Sequence, residues 1–183
     1  VASGDKVQIG AFGIEYIRAA HSIPEAHVIA IRTPLGAVVH ATDWKLDPDP
    51  LIGSETDGAA LKRLGDEGVI AMCCDSTNAG VPGHSRSEGA LRKSLTEFIG
   101  DCEQRVAVAC FSSNVARIET IIAAAEANGR NVCLVGRSLW RMVEAARATG
   151  HLDEDLRILT EHDVGHLSPD QTVLAVTGSQ GEA

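Results

Sequence analysis

Beyond Pro50 the chain repeats one pattern, a short continuous apolar run alternating with a segment of helical spacing, and this leaves few folds open. The runs are residues 69–74, 106–111, 132–135 and 172–176, and the segments between them are 87–99, 115–128 and 139–149. Ser87 stands where an N-cap belongs, and Gly129 and Gly150 stand where two helices stop. Residues 57–64 read as a further helix ahead of the first run. Runs without polar alternation are buried on both faces, and intervening helices carry the chain from one parallel strand to the next. The expected class is α/β with a buried, mostly parallel sheet.

Ahead of Pro50 the pattern differs. Residues 7–9, 14–18, 28–33 and 37–41 are short β-branched segments, and Pro34-Leu35-Gly36 reads as the turn of a hairpin joining the last two. Asp47-Pro48-Asp49-Pro50 then interrupts the chain, because each residue before a proline is held out of the helical region. The stretch 79–86 (A-G-V-P-G-H-S-R) holds the expected boundary, giving domains over residues 1–80 and 81–183.

Composition narrows the function classes. The net charge of −9 excludes generic duplex binding by a basic surface, but leaves room for a local positive channel and suits a protein that holds cations. Aromatic residues, at 3%, supply a poor stacking platform for single strands. There is no apolar stretch of membrane-spanning length and no basic-then-apolar leader, so neither a membrane span nor a signal peptide is expected. The chain opens on Val1 rather than Met, as a piece of a longer protein would. Five cysteines without C-x-x-C spacing point to reduced thiols and a cytoplasmic setting.

Ligands of open α/β sheets collect at the carboxyl ends of the strands. Four runs end in small polar residues: Asp75-Ser76-Thr77-Asn78, Ser112-Ser113-Asn114, Gly136-Arg137-Ser138 and Thr177-Gly178-Ser179-Gln180-Gly181-Glu182. Asn114 and Ser138 directly precede helical segments, where unpaired amides and the helix dipole favour an anion. Each could equally be an ordinary cap or turn. Four on one sheet edge favour a phosphate-bearing ligand, yet neither G-x-x-x-x-G-K-[ST] nor G-x-G-x-x-G occurs, which argues against a standard nucleotide loop.

In the first half, His21 and Asp43 close extended segments. Imidazole and carboxylate at neighbouring strand ends can share a divalent cation; a structural histidine and a turn aspartate fit the same spacing. Two donors complete no coordination shell, so others are needed, with His27, His40 and His84 as candidates. His40 is expected within a strand and His84 on the interdomain loop. His151, His162 and His166 lie in a polar stretch that reads as solvated loop, and Asp153-Glu154-Asp155 as a solvated face. Trp44 and Trp140 read as packing anchors.

The blocks I-E-Y-I-R-A-A-H-S-I-P-E-A, I-R-T-P-L-G-A-V-V-H-A-T-D-W-K-L-D-P, C-D-S-T-N-A, C-F-S-S-N-V-A-R, V-G-R-S-L and T-G-S-Q-G-E, in this order, resemble the ribonuclease J family. The resemblance implies part of a metallo-β-lactamase αββα sandwich over residues 1–80, followed by part of a β-CASP α/β domain over 81–183. By that resemblance His21 matches the metal-binding histidine of T-H-S-I-P. Asp43 matches the aspartate that bridges two metal ions in G-D-F-K, here T-D-W-K. Asp75 matches the acidic β-CASP motif and takes a catalytic role. Ser76, Asn78, Ser112, Ser113, Asn114, Arg137, Ser138, Gly178, Ser179 and Gln180 match loops that line the RNA channel and the pocket for a 5′-phosphate.

The activity implied is hydrolysis of RNA phosphodiesters, 5′-to-3′ from a 5′-monophosphorylated end and also internally. Two zinc ions, with manganese or magnesium as alternatives, polarise the phosphoryl oxygens and activate water. The full-length form is expected to be a cytoplasmic homo-oligomer that binds RNA and no membrane. The family's H-x-H-x-D-H and H-A-S-G-H motifs do not occur in these residues, so this segment alone is expected to be inactive and at best a weak metal binder. The acidic net charge is compatible with RNA if Arg117, Arg137 and Arg141 face the channel. Two other readings remain: a β-CASP endonuclease of the 3′-end-processing type, and a non-catalytic phosphate- or nucleotide-binding α/β module.

Overall fold

The computed structural model describes residues 1–177, and the chain divides into two compact units, Val1–Ser87 and Glu88–Ala183. The first unit is a five-stranded sheet of β1 (Lys6–Ile9), β2 (Phe12–Arg18), β3 (His27–Thr33), β4 (Gly36–Ala41) and β5 (Val69–Cys74), in that spatial order. Neighbours are antiparallel except β4 and β5, which run parallel and are joined by α1 (Gly58–Glu67). The β3–β4 hairpin turns where Pro34-Leu35-Gly36 places it, with Thr33 opposite Gly36. Gly36 has φ +136°, and a Cβ there would stand 2.8 Å from Ile70 Cγ2, so only glycine fits this turn beside β5.

One sheet face carries Ile17, Val28, Ala30, Ala37, Val39 and Ala41, which pack with Ala60 and Leu64 of α1 to form the core of the unit. Trp44 packs against the same cluster as an anchor. The buried carboxylate of Glu15 shares this face and pairs with Arg32 at 2.7 Å and with Arg63 of α1. Truncating either arginine would leave a buried charge poorly compensated. The opposite face is also apolar but open. Register places Val7, Ile9, Phe12, Ile14, Ile31 and Val38 on it, and Ile9 and Phe12 are 59% and 50% exposed.

Residues 69–74 differ from expectation. Instead of a buried strand they form the sheet edge, and all six residues are exposed. The reason is positional: among the described residues β5 has a neighbour only in β4, so continuity of apolar residues reports a strand without reporting what covers it.

The second unit meets the expectation of a parallel sheet. It contains α2 (Glu88–Asp101), β6 (Val106–Ala109), α3 (Val115–Glu126), β7 (Asn131–Val135), α4 (Arg137–Ala148), β8 (Ile158–Leu159), α5 (Glu161–Val164) and β9 (Thr172–Val176). The strands are ordered β6-β9-β7-β8, all parallel. Helix α3 buries Val115, Ala116, Ile118, Ile121, Ile122 and Ala125, so it forms a central layer of this core. The stretch read as solvated loop instead supplies β8 and α5. Thr160 and Asp163 form a capping box, with the Asp163 carboxylate accepting from the Thr160 amide at 2.9 Å and from its hydroxyl at 2.7 Å. Helix α4 starts two residues earlier than the spacing predicts, because Gly136 at φ +130° serves as its N-cap.

No helix among the described residues is long and apolar enough to cross a membrane. The five cysteines are free; burial pushes the thiols of Cys110 and Cys133 up and so disfavours their reactive thiolates.

Candidate functional site

The candidate metal residues lie beyond the carboxyl ends of β2 and β4 in the first sheet. Strand β2 continues through buried Ala19 and Ala20 to His21, and β4 continues through Thr42 to Asp43. Two contacts hold these ends together. Lys45 forms an antiparallel bridge to Ala20, and the Asp75 amide donates to the Thr42 carbonyl at 3.0 Å. These two contacts bring the strand ends that carry His21, Asp43 and Asp75 into one region.

Their local chemistry differs. His21 Nδ1 lies 3.2 Å from Ser22 Oγ, which engages that nitrogen and leaves Nε2 outside this bond. Asp43 is exposed. Asp75 closes an Asx turn: its carboxylate accepts from the Thr77 hydroxyl and, at 3.0 Å, from the Thr77 amide. Thr77's hydroxyl, and next its amide, hold the Asp75 carboxyl below the ordinary aspartate range. Ser76 and Asn78 are exposed in the turns that follow.

One imidazole and two carboxylates suit zinc, manganese or magnesium in kind. They fall short in number, since among the described residues no group of three or more His, Cys, Asp or Glu side chains stands close enough to hold an ion. The extra histidines do not fill the gap. His27 Nδ1 is 2.7 Å from the Glu25 carbonyl and its ring meets Tyr16 edge-on, His40 is exposed on β4 opposite Cys73, and His84 is exposed.

The phosphate-type candidates lie in the second unit. Because β9 runs between β6 and β7, the carboxyl ends of all three are neighbours. Asn114 is buried and serves as the N-cap of α3, its Oδ1 accepting from the Arg117 amide at 2.8 Å. Ser112 is half-buried and Ser113 exposed beside it. Arg137 and Ser138 occupy the first turn of α4, both exposed, and no side-chain cap closes that helix start. Gly178, Ser179 and Gln180 lie outside the described residues. The guanidinium of Arg117 donates to Glu88 through Nε at 3.2 Å and Nη2 at 3.1 Å. Arg137 and Arg141 remain exposed cations.

Sequence reading passed over two features. Lys45 pairs with buried Asp47 at 2.9 Å and donates to the Arg86 carbonyl at 2.6 Å, tying down the segment that carries Asp43. The hydroxyl of Thr56 bonds to the backbone of both Ala20 and Lys45. Thr56-Asp57 is legible as a helix start, but partners 36 and 11 residues away carry no local signal.

A family model described as "Ribonuclease J, beta-CASP domain" matches residues 103–183, which fixes the class of the second unit. The similarity to curated proteins runs further along the chain. It is 45% identical over 179 residues to Ribonuclease J of Sinorhizobium meliloti, covering 98% of this chain and 32% of that protein. It is 46% identical to Ribonuclease J of Mycolicibacterium smegmatis, covering 100% of this chain and 33% of that one. Ribonuclease J2 of Bacillus subtilis is 32% identical over 92% of this chain and 31% of its own length. The chain belongs to the ribonuclease J family and spans about a third of the length of these relatives. A solved structure of a protein of unknown function from Enterococcus faecalis shares the fold, with a TM-score of 0.62 at 14% identity, over 96% of this chain and 44% of that one.

Proposed function

We propose that this chain is the central part of a metal-dependent ribonuclease of the ribonuclease J type, which hydrolyses RNA 5′-to-3′ from a 5′-monophosphorylated end and also cuts internally. The observation that carries the reading is that backbone contacts hold together the strand ends carrying His21, Asp43 and Asp75, in a chain of that family. In this reading the first unit is one layer of a metallo-β-lactamase sandwich, and its open apolar face is the inner face of that sandwich. The second unit is the front of the β-CASP domain.

His21 and Asp43 are two ligands of a divalent metal centre, zinc with manganese or magnesium as alternatives, whose remaining ligands come from outside these residues. Asp75 is the catalytic carboxylate. The Thr77 hydrogen bonds that hold its pKa down favour the carboxylate form, which suits holding a cation better than donating a proton. Ser76, Asn78, Ser112, Ser113, Asn114, Arg137, Ser138, Gly178, Ser179 and Gln180 line the path of the RNA and its terminal phosphate. Arg137 and Arg141 supply local positive charge on an otherwise acidic chain. The working protein is a cytoplasmic homo-oligomer.

The test is Asp43→Ala in the full-length protein that carries this segment. Metal-dependent RNA cleavage should fall by at least about a hundredfold with the fold intact by circular dichroism. Wild-type cleavage by that variant would remove Asp43 from the metal centre.

A further inference from the structure

In a hydrogen-bonded antiparallel pair, two residues exchange both of their N–H···O bonds. The bridge between Ala20 and Lys45 makes only one of them directly, Lys45 N–H to the Ala20 carbonyl at 3.0 Å. The reciprocal bond runs through a side chain. Ala20 N–H donates to Thr56 Oγ at 2.8 Å, and the Thr56 hydroxyl donates to the Lys45 carbonyl at 2.7 Å. One hydroxyl thus acts as acceptor and donor between two strand ends. His21 follows Ala20 directly, and Asp43 stands two residues before Lys45.

The hydroxyl is itself fixed from both sides. Arg18 Nε donates to the Glu55 carbonyl at 2.9 Å, and the Asp57 amide donates to the Arg18 carbonyl at 3.0 Å. Asp57 then caps α1 through the Ala60 amide at 2.9 Å. Thr56 is held between the end of β2 and the start of the helix, so its side chain has little freedom to leave the relay. Ala20 is 3% exposed, so without the hydroxyl its N–H has poor access to water as a substitute.

We propose that Thr56 is a positioning residue for the metal centre. Its hydroxyl sets the spacing between the strand ends that carry His21 and Asp43. The proposal rests on those two residues being ligands, and it assigns to Thr56 no contact with metal or RNA. A valine at this position keeps the volume and loses both bonds, whereas a serine keeps both.

The test uses the full-length protein carrying this segment, with Thr56→Val, Thr56→Ser, His21→Ala and Asp43→Ala. Retention of manganese and of zinc is read by competition with a chromogenic chelator, and the Ala20 amide by hydrogen exchange. Thr56→Val should weaken metal retention about tenfold and speed Ala20 exchange, with Thr56→Ser restoring both. Wild-type retention in Thr56→Val, with retention lost in His21→Ala and Asp43→Ala, overturns the positioning role and leaves the ligand reading standing. Wild-type retention in all of the variants overturns both. Should Thr56→Val fail to fold, Thr56→Ala carries the same comparison, and wild-type retention there overturns the proposal.

Discussion

Gly136 shows how a single residue shapes the edge where phosphate-type candidates gather. Its φ of +130° is one that side-chain-bearing residues rarely adopt, and a Cβ would collide with Thr177 Cγ2 at the end of β9. The turn from β7 into α4 therefore packs directly on the neighbouring strand end. Gly136→Ala combines backbone strain with overpacking and should destabilise the second unit by about 3 kcal/mol. Urea unfolding followed through Trp140 fluorescence in a Trp44→Phe background checks this; an unchanged midpoint would show that the turn relaxes freely. At this scale the sequence was partly legible. V-G-R-S marks a strand-to-helix turn, but the frame of the helix start depends on the glycine's conformation, which moved α4 to Arg137 and placed Ser138 inside its first turn. Asn114 was legible as a cap because its partner is only three residues away.

Among the elements, α2 and α3 pack against each other in the second unit. Asn128, just beyond α3, donates from its amide to the Thr96 carbonyl of α2 and to the Ala124 carbonyl, both at 2.9 Å. Gly100 admits this clasp, because a Cβ there would stand 2.9 Å from Asn128 Oδ1. Asn128→Ala should cost about 1–2 kcal/mol by loosening α2 from α3, read as a lower melting temperature and faster amide exchange in residues 96–101. Retained protection there would show that apolar packing alone holds α2. Helices such as α4 were readable from spacing, because one buried stripe, Leu139, Val143 and Ala146, imposes a 3.6-residue period. Strand β8 and helix α5 were not, since elements of two and four residues are too short to show a period, and polarity dominates the reading. The Thr160–Asp163 capping box was the available local signal.

For the whole molecule, the change of sequence pattern at Pro50 does not coincide with the division of the chain after Ser87, because α1 and β5, which carry the second pattern, complete the sheet of the first unit. Alternation in the first part does not say which face is covered. Both faces of that sheet are apolar, and only one meets α1. The candidate site was legible to a similar degree. His21, Asp43 and Asp75 could each be placed at a strand end, but their gathering depends on the Ala20–Lys45 bridge and the bond from Asp75 to Thr42, pairings between residues 25 and 33 positions apart. The account then turns on whether a protein built around this segment reads the 5′ end of RNA. The direct measurement compares initial cleavage rates by the full-length protein on one RNA carrying either a 5′-monophosphate or a 5′-triphosphate. Faster degradation of the monophosphate form, with mononucleotides released from the 5′ end, is the predicted result. Equal rates with internal cuts only would contradict it and favour an endonuclease of the 3′-end-processing type.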